Sequence, residues 1–444
     1  MLSIGGVIGA GLFVGSGHAI AEAGPAVLIA FAISGALVLM VMRMLGEMAV
    51  ALPDTGSFST YADRAIGRWA GFTIGWLYWS RKVLVIPLEA TAAAIILNSW
   101  FPDIATWIFA LSITLALTAS NLLKVAYYGE IEFWFALTKI VAIILFIAIG
   151  LGAIFGLLPS SDVSGIKALY NAGGFAPNGL GAIPSAMVTA MFSLFGAEIA
   201  TIAAVESKDP ATQMTKVINS IIWRIGLFYL TTIFIVVSLV PWNDPRLLEA
   251  GAYQRVLELI NIPYAKAIFD TIVLIALISC LNSALYSASR MIFSLSQRGD
   301  APVTIQRTNR HGTPVIAVLA STIVGFLVII VSYTMPKQVF SFLLATSGSI
   351  GLLVYLVIAV SQLRMRPRLL ASGKELRLKM WFYPWLTWIA IIAIAGVLAA
   401  MLIQPSHRAE VIVTAMLASG LTITGLWMAH RPRVSHVNSL APTK

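Results

Sequence analysis

The chain is poor in charge. Only 11% of its 444 residues are Asp, Glu, Lys or Arg, and 59% are hydrophobic. Its mean hydropathy is +0.90. Soluble domains carry roughly 25% charged and 45–50% apolar residues. A water-soluble fold of this composition lacks the polar side chains to cover its surface, so a soluble enzyme is excluded. Cysteine is almost absent: Cys280 is the single thiol. That excludes a disulfide framework and a cysteine-held metal cluster. The five histidines (His18, His311, His407, His430 and His436) fall in expected loops or at the ends of apolar runs. No metal or other cofactor is therefore expected inside those runs. The first run lacks a basic n-region, so no cleavable leader is expected.

What the chain has is long apolar runs. Twelve of about 20 residues, each long enough to cross a bilayer, cover roughly 1–20, 25–48, 71–97, 104–122, 131–157, 182–205, 221–241, 264–290, 314–333, 338–362, 384–403 and 409–429. They are continuous rather than alternating, which excludes a β-barrel. The expected fold class is an all-α integral membrane protein in the lipid bilayer, with no room for a folded soluble domain. Pro25 sits where a helix would begin, and Pro53 to Gly56 open a loop. Residues 158–181 read as an external loop, 430–444 as a cytoplasmic tail. Residues 242–262 have an amphipathic pattern, with Val256, Leu257, Leu259 and Ile260 beside Arg255 and Glu258, suited to the outer surface.

The net charge of +10 does not point to nucleic acid once the loops are sorted. With both termini cytoplasmic, 20 of the 29 basic residues fall on the inner side and six (Lys167, Arg246, Arg255, Lys266, Lys337, Arg408) on the outer. That bias orients the chain and requires an even number of crossings.

Two of the runs are interrupted. The first reads Gly5-Gly6-Val7-Ile8-Gly9-Ala10-Gly11-Leu12-Phe13, and the sixth reads Phe192-Ser193-Leu194-Phe195-Gly196-Ala197-Glu198. Glycine costs about 1 kcal/mol per residue in a helix interior. Close packing through small residues is one reading of the first run. The stronger one is unwound backbone lining a cavity, because exposed backbone at that depth is tolerated only there or buried in protein. Broken helices five spans apart are the mark of inverted-repeat transporters. Free N–H groups at a half-helix N-terminus attract a carboxylate; free carbonyls attract an ammonium. A small zwitterion is the expected ligand.

Ionisable residues inside spans are costly and functional by default. They are Glu89, Lys139 and Glu198, with Glu47 near an inner end and Lys266 and Asp270 as an i,i+4 pair. Lys139 either snorkels to the inner face or faces the interior as a fixed or titrating cation, the favoured reading. Glu198 either bonds freed backbone N–H groups or contacts substrate. Glu89 is a proton-relay group or a packing acid. Arg81 and Lys82 fit poorly. Adjacent helix residues point apart, so the two are not expected to face one cavity.

These residues carry a family resemblance. Gly6 to Phe13, Ala23-Gly24-Pro25 through Gly46-Glu47 and Pro53, residues 52–79, Ser279 to Tyr286 and Tyr383 to Trp388 are similar to blocks of the amino acid permeases of the amino acid–polyamine–organocation (APC) superfamily. Ile86-Pro87-Leu88-Glu89-Ala90 most resembles the bacterial GABA (4-aminobutyrate) permeases. The resemblance covers essentially the whole chain. It implies a LeuT-type 5+5 inverted repeat: residues 1–157, then 182–362, then two peripheral helices over 363–429. It implies a multi-pass symporter of the inner membrane, not an enzyme, with protons as co-substrate and no obligate protein partner. It implies substrate binding at Val7, Gly9, Ala10, Gly11, Phe192, Phe195, Gly196 and Glu198. Ala10 and Gly11 N–H groups would take the carboxylate, and carbonyls near Val7, Phe192 and Phe195 the amine. Phe192 or Phe195 would be an aromatic gate. Lys139 would stand where sodium-coupled relatives hold the ion, so Lys139 and Glu89 would couple protons. The family places apolar and aromatic residues where Ser80, Arg81 and Lys82 stand. A permease for an α-amino acid (proline or an aromatic one) and an amino acid antiporter remain alternatives.

Overall fold

The computed structural model describes residues 8–54, 57–122, 128–159, 161–198, 209–249, 251–309, 312–332, 336–373, 376–405 and 407–430. Regular structure among them is helical, apart from one isolated bridge between Thr308 and Pro314. In lipid, backbone groups find no water, and a helix satisfies them within its own segment.

The chain enters through a π turn at Gly11–Gly15 that leads into α1 (Ser16–Ala23). The apolar helical stretch Gly11–Ala51 is 41 residues long, about twice what one crossing needs. Gly24 divides it. Its φ of 61° turns the chain, Pro25 opens the next turn, and α2 follows (Val27–Ala51). Then come α3 (Ser57–Ala65), α4 (Arg68–Trp100), α5 (Thr106–Leu122), α6 (Tyr128–Ile154) and α7 (Ile183–Leu194). Helices α8 (Pro210–Trp223) and α9 (Thr231–Leu239) are joined by a π turn, Arg224–Leu230, into one rod. Helix α10 (Ala252–Ile260) precedes α11 (Ala265–Gln297), α12 (Val315–Ser332), α13 (Pro336–Ala371), α14 (Trp385–Ile403) and α15 (Arg408–Ala429). Among the described residues, eight helical segments are long and apolar enough to cross a membrane, and three shorter apolar helices accompany them.

Helix α4 runs through the middle of the bundle and packs on α5, α11, α13 and α15. Its position makes it the natural carrier of the site. Helices α14 and α15 expose large side chains such as Trp385, Trp388 and Trp427. Among its described residues, the expected loop 158–181 holds a short helix, Ala168–Asn171, and the start of a 3-10 turn, Leu180–Ala182. The amphipathic segment is seated deeper than a surface helix. Tyr253, Val256, Leu257 and Ile260 of α10 are buried, and the Tyr253 ring meets Phe13 at 5.3 Å and Phe146 at 4.5 Å. Its polar face is held by Arg255, which bridges Asp244 (2.8 Å) and Glu258 (3.2 Å). The expected tail lies largely outside the described residues.

Candidate functional site

The two interrupted runs meet. Helix α7 stops at Leu194; Phe195 is extended, with ψ at 150°, and Gly196 takes φ 111°, a conformation that suits glycine. At the start of the first run, Gly9 is non-helical and its carbonyl accepts from Leu12 and Phe13 N–H. The glycines there also permit contact. A Cβ on Gly11 would stand 2.7 Å from Ser193 Cα, and one on Gly9 2.6 Å from a Glu89 oxygen. Broken backbone and close packing therefore coexist in this segment. The freed Ser193 carbonyl accepts the Tyr229 hydroxyl at 2.8 Å.

Between the breaks, α4 and α11 lies a small cavity lined by Gly9, Gly11, Arg81, Glu89, Phe192 and Phe195, among others. About 20 Å³ of it is open to a water-sized sphere, room for one water molecule and not for an amino acid. A substrate enters only if side chains or half-helices move. Ala10, Gly196 and Glu198 are not among the residues lining it, and Val7 lies outside the described residues.

The Ala10 N–H, expected to capture a substrate carboxylate, carries Glu89 instead. It donates to both Glu89 oxygens, at 3.0 and 3.2 Å. Glu89 thus ties α4 to the first break. On the far side Lys139 is fully buried, so it does not snorkel. Its Nζ donates to Ser279 Oγ (3.0 Å), which donates to Glu132 (2.9 Å); Ser283 donates to the same oxygen (3.3 Å). Glu132 is a buried carboxylate that sequence reasoning misses, because it sits at the start of an apolar run. The available signal is its seven-residue spacing to Lys139, which puts the two on one helix face.

Arg81 and Lys82 overturn the expectation set for them. Both are buried in mid-α4, and both reach Glu198 Oε1, at 3.3 and 3.6 Å. Their Cα–Cβ bonds do diverge, but long flexible stems bring the two charges together. The break after Leu194 sets the carboxylate between them. Glu198 also accepts the Gly196 N–H at 2.8 Å, as the backbone-bonding reading required. The Arg81 guanidinium lies over the Phe195 ring at 4.0 Å. That ring in turn meets Tyr355 edge-on at 4.7 Å, and a Cβ on Gly351 of α13 would collide with it.

Other charges act as struts. Glu47 accepts from Gln362 (2.8 Å), Arg366 (3.1 Å) and the Met380 N–H, locking α2 to α13 and the segment after it. Lys266 and Asp270 pair at 3.0 Å as expected. His407, between α14 and α15, meets Glu22 at 2.8 Å. That hydrogen bond raises the imidazole above its usual range, outweighing burial, with Glu410 adding to the rise.

The comparisons agree with this architecture. The amino acid permease family matches residues 1–436. A "Probable GABA permease" of Pseudomonas aeruginosa is 64% identical over 98% of this chain and 92% of its own length. The "Gamma-aminobutyric acid permease" of Escherichia coli is 61% identical over 96% and 91%, that of Bacillus subtilis 45% over 100% and 94%. A manganese transporter of Eremococcus coleocola, solved as a point mutant, shares the fold at 14% identity, with a TM-score of 0.62 over 96% of this chain and 92% of that one. A buried, charge-lined cavity between two broken apolar helices, together with these matches, leads to one assignment: this chain belongs to the amino acid permease family.

Proposed function

We propose that the chain imports GABA or a related ω-amino acid across the cytoplasmic membrane by proton symport and alternating access. The relatives named as GABA permeases support the substrate. Counting the stretch broken at Gly24 as two crossings, and adding the three shorter apolar helices, is compatible with twelve. On this reading residues 1–157 and 182–362 are inverted repeats of the leucine-transporter type. Residues 363–429 are peripheral, and both termini are cytoplasmic. The substrate occupies the cavity at the two breaks, where half-helix ends of either sign are available to a zwitterion.

The observation that carries the coupling is Glu89 on the Ala10 N–H. As a carboxylate, Glu89 pins the first break to α4. A proton weakens it as an acceptor and releases the half-helix, while Lys139 holds the adjoining Ser279–Glu132 chain in place. Protonation then opens the cavity that the substrate fills. The test is uptake of labelled GABA into cells lacking their own GABA permease, at acidic and neutral pH, with and without a protonophore. Uptake that rises in acid and collapses with protonophore supports symport. Counterflow that ignores pH would identify an antiporter, and preference for proline or phenylalanine an α-amino acid permease.

A further inference from the structure

Two buried carboxylates approach α11, and the coupling described above uses one of them. Glu89 shares the cavity wall with Ser283 of α11. Glu132 accepts from Ser279 and Ser283 of the same helix, at 2.9 and 3.3 Å. Ser283 therefore belongs to both groups: it lines the cavity that Glu89 lines, and it donates to Glu132 Oε1. The cavity between has room for one water molecule. Glu132 Oε2 is buried and has no hydrogen-bond partner among the described residues. A bare oxygen on a buried carboxylate is costly, and it offers a place to a proton. The group facing Glu132 from its own helix is the Lys139 ammonium. Helix α9, packed on α6, brings no ionisable residue, and α10 keeps Arg255 on Asp244 and Glu258. Glu132 lies four residues after Tyr128, where α6 begins, about 6 Å into the helix. With both termini cytoplasmic, that end of α6 faces the cell interior.

We propose that Glu132 takes the transported proton from Glu89 through the Ser283 hydroxyl and passes it to the cytoplasmic side. The inference rests on the symport reading above. The protonated Glu89 gives its proton to a water in the cavity. Ser283 Oγ takes a proton from that water while its own hydroxyl proton goes to Glu132 Oε1. One O–H bond is lost on Glu89 and one is gained on Glu132; the water and the hydroxyl end as they began. The negative charge moves from the second carboxylate to the first. Glu89 is then a carboxylate again, recaptures the Ala10 N–H and re-pins the first break. The Glu132 acid turns and gives its proton to water at the inner side. The Lys139 ammonium is not consumed. It stays on Ser279 and meets the Glu132 carboxylate when that charge returns.

The test uses the full chain reconstituted in liposomes, with two readouts. One is net uptake of labelled GABA driven by an alkaline lumen. The other is exchange of labelled GABA outside against unlabelled GABA inside, with no pH difference. In exchange the loaded carrier shuttles with its proton still on Glu89; net uptake requires that proton to leave. Glu132→Gln should lower net uptake by at least about tenfold, because a positioned proton-transfer group contributes that much or more, and should leave exchange at the wild-type rate. Glu132→Asp, which keeps a carboxylate, should recover part of the loss. Ser283→Ala leaves Ser279 on Glu132 and should lower net uptake more than exchange. Wild-type net uptake by a folded Glu132→Gln, or equal losses in both readouts, would overturn the proposal; a purely structural role predicts the equal losses. Where Glu132→Gln does not fold, Ser283→Ala decides, and an equal effect on both readouts overturns it. Wild-type uptake that ignores the lumen pH sinks the symport reading and this proposal with it. Wild-type uptake that follows lumen pH, beside an unaffected Glu132→Gln, sinks this proposal alone.

Discussion

Glu89 and Lys139 are both buried, and the proposed mechanism gives them different tasks. Glu89→Gln cannot ionise, so it should mimic the released state permanently. Uptake at neutral pH should fall by at least about tenfold, roughly 1.4 kcal/mol, and the remainder should lose its pH dependence. A Glu89→Gln carrier with an intact acid response would contradict the coupling role. Lys139→Met should instead act on stability. It leaves Glu132 as an uncompensated buried charge, a loss of about 3–5 kcal/mol. The double variant Lys139→Met, Glu132→Gln should recover most of that loss in thermal melts, because both charges are then gone. At this scale the sequence was legible where one charge interrupted an apolar run, as at Glu89, Lys139 and Glu198. It was illegible where side-chain reach decides. The helical angle between Arg81 and Lys82 argued against a shared target. Only the position of the Glu198 carboxylate, set by a backbone break on another helix, shows that both stems converge there.

The elements meet through glycines. Gly11 faces backbone, since a Cβ would lie 2.7 Å from Ser193 Cα, and backbone cannot rotate away. Gly11→Ala should wedge the Gly11–Gly15 turn from α7, lowering stability by about 1–3 kcal/mol and abolishing uptake while the protein still reaches the membrane. Gly420 of α15 is the control, with nothing within 4 Å of its Cβ position. Gly420→Ala should stabilise its helix by about 0.5–1 kcal/mol and leave uptake unchanged. If both variants behave alike, the close approach is not what these glycines serve. The breaks themselves were readable from glycine inside apolar runs. Their contents were not: a π turn at Gly11–Gly15 and an extended Phe195 have the same composition as a plain unwound stretch. The depth of α10 was hidden too, because an amphipathic face reads the same whether it meets lipid or the rings of Phe13 and Phe146.

At the scale of the molecule, two struts link distant parts of the chain. Glu47 joins α2 to α13 and the Met380 backbone. Glu47→Ala strands Arg366 and Gln362 and should cost about 3 kcal/mol, seen as a lower melting temperature with normal membrane insertion. His407 joins the α14–α15 connection to α1 through Glu22. Its pKa is raised in the fold, so its contribution is fully present below the unfolded value of about 6.5 and is lost as pH rises through the folded one. The melting temperature of the purified protein should therefore fall across that window. His407→Gln should flatten the fall, an effect on the order of 1 kcal/mol. A wild-type profile that stays flat there would show the pair contributes nothing.

The charged groups around the cavity have a consequence for voltage. Arg81 and Lys82 pair with Glu198, Lys139 joins Glu132 through Ser279, and Glu89 is buried on the Ala10 N–H, so three cations meet three carboxylates and their formal charges cancel. On the proposed symport, a carrier returning empty is then neutral, and one loaded with a zwitterion and a proton is a monocation. A cell interior held negative pulls only the loaded form inward, at about 2.3 kcal/mol per elementary charge per 100 mV. In vesicles with no pH difference, a potassium diffusion potential alone should drive accumulation, and an uptake current should appear without any current from the empty return.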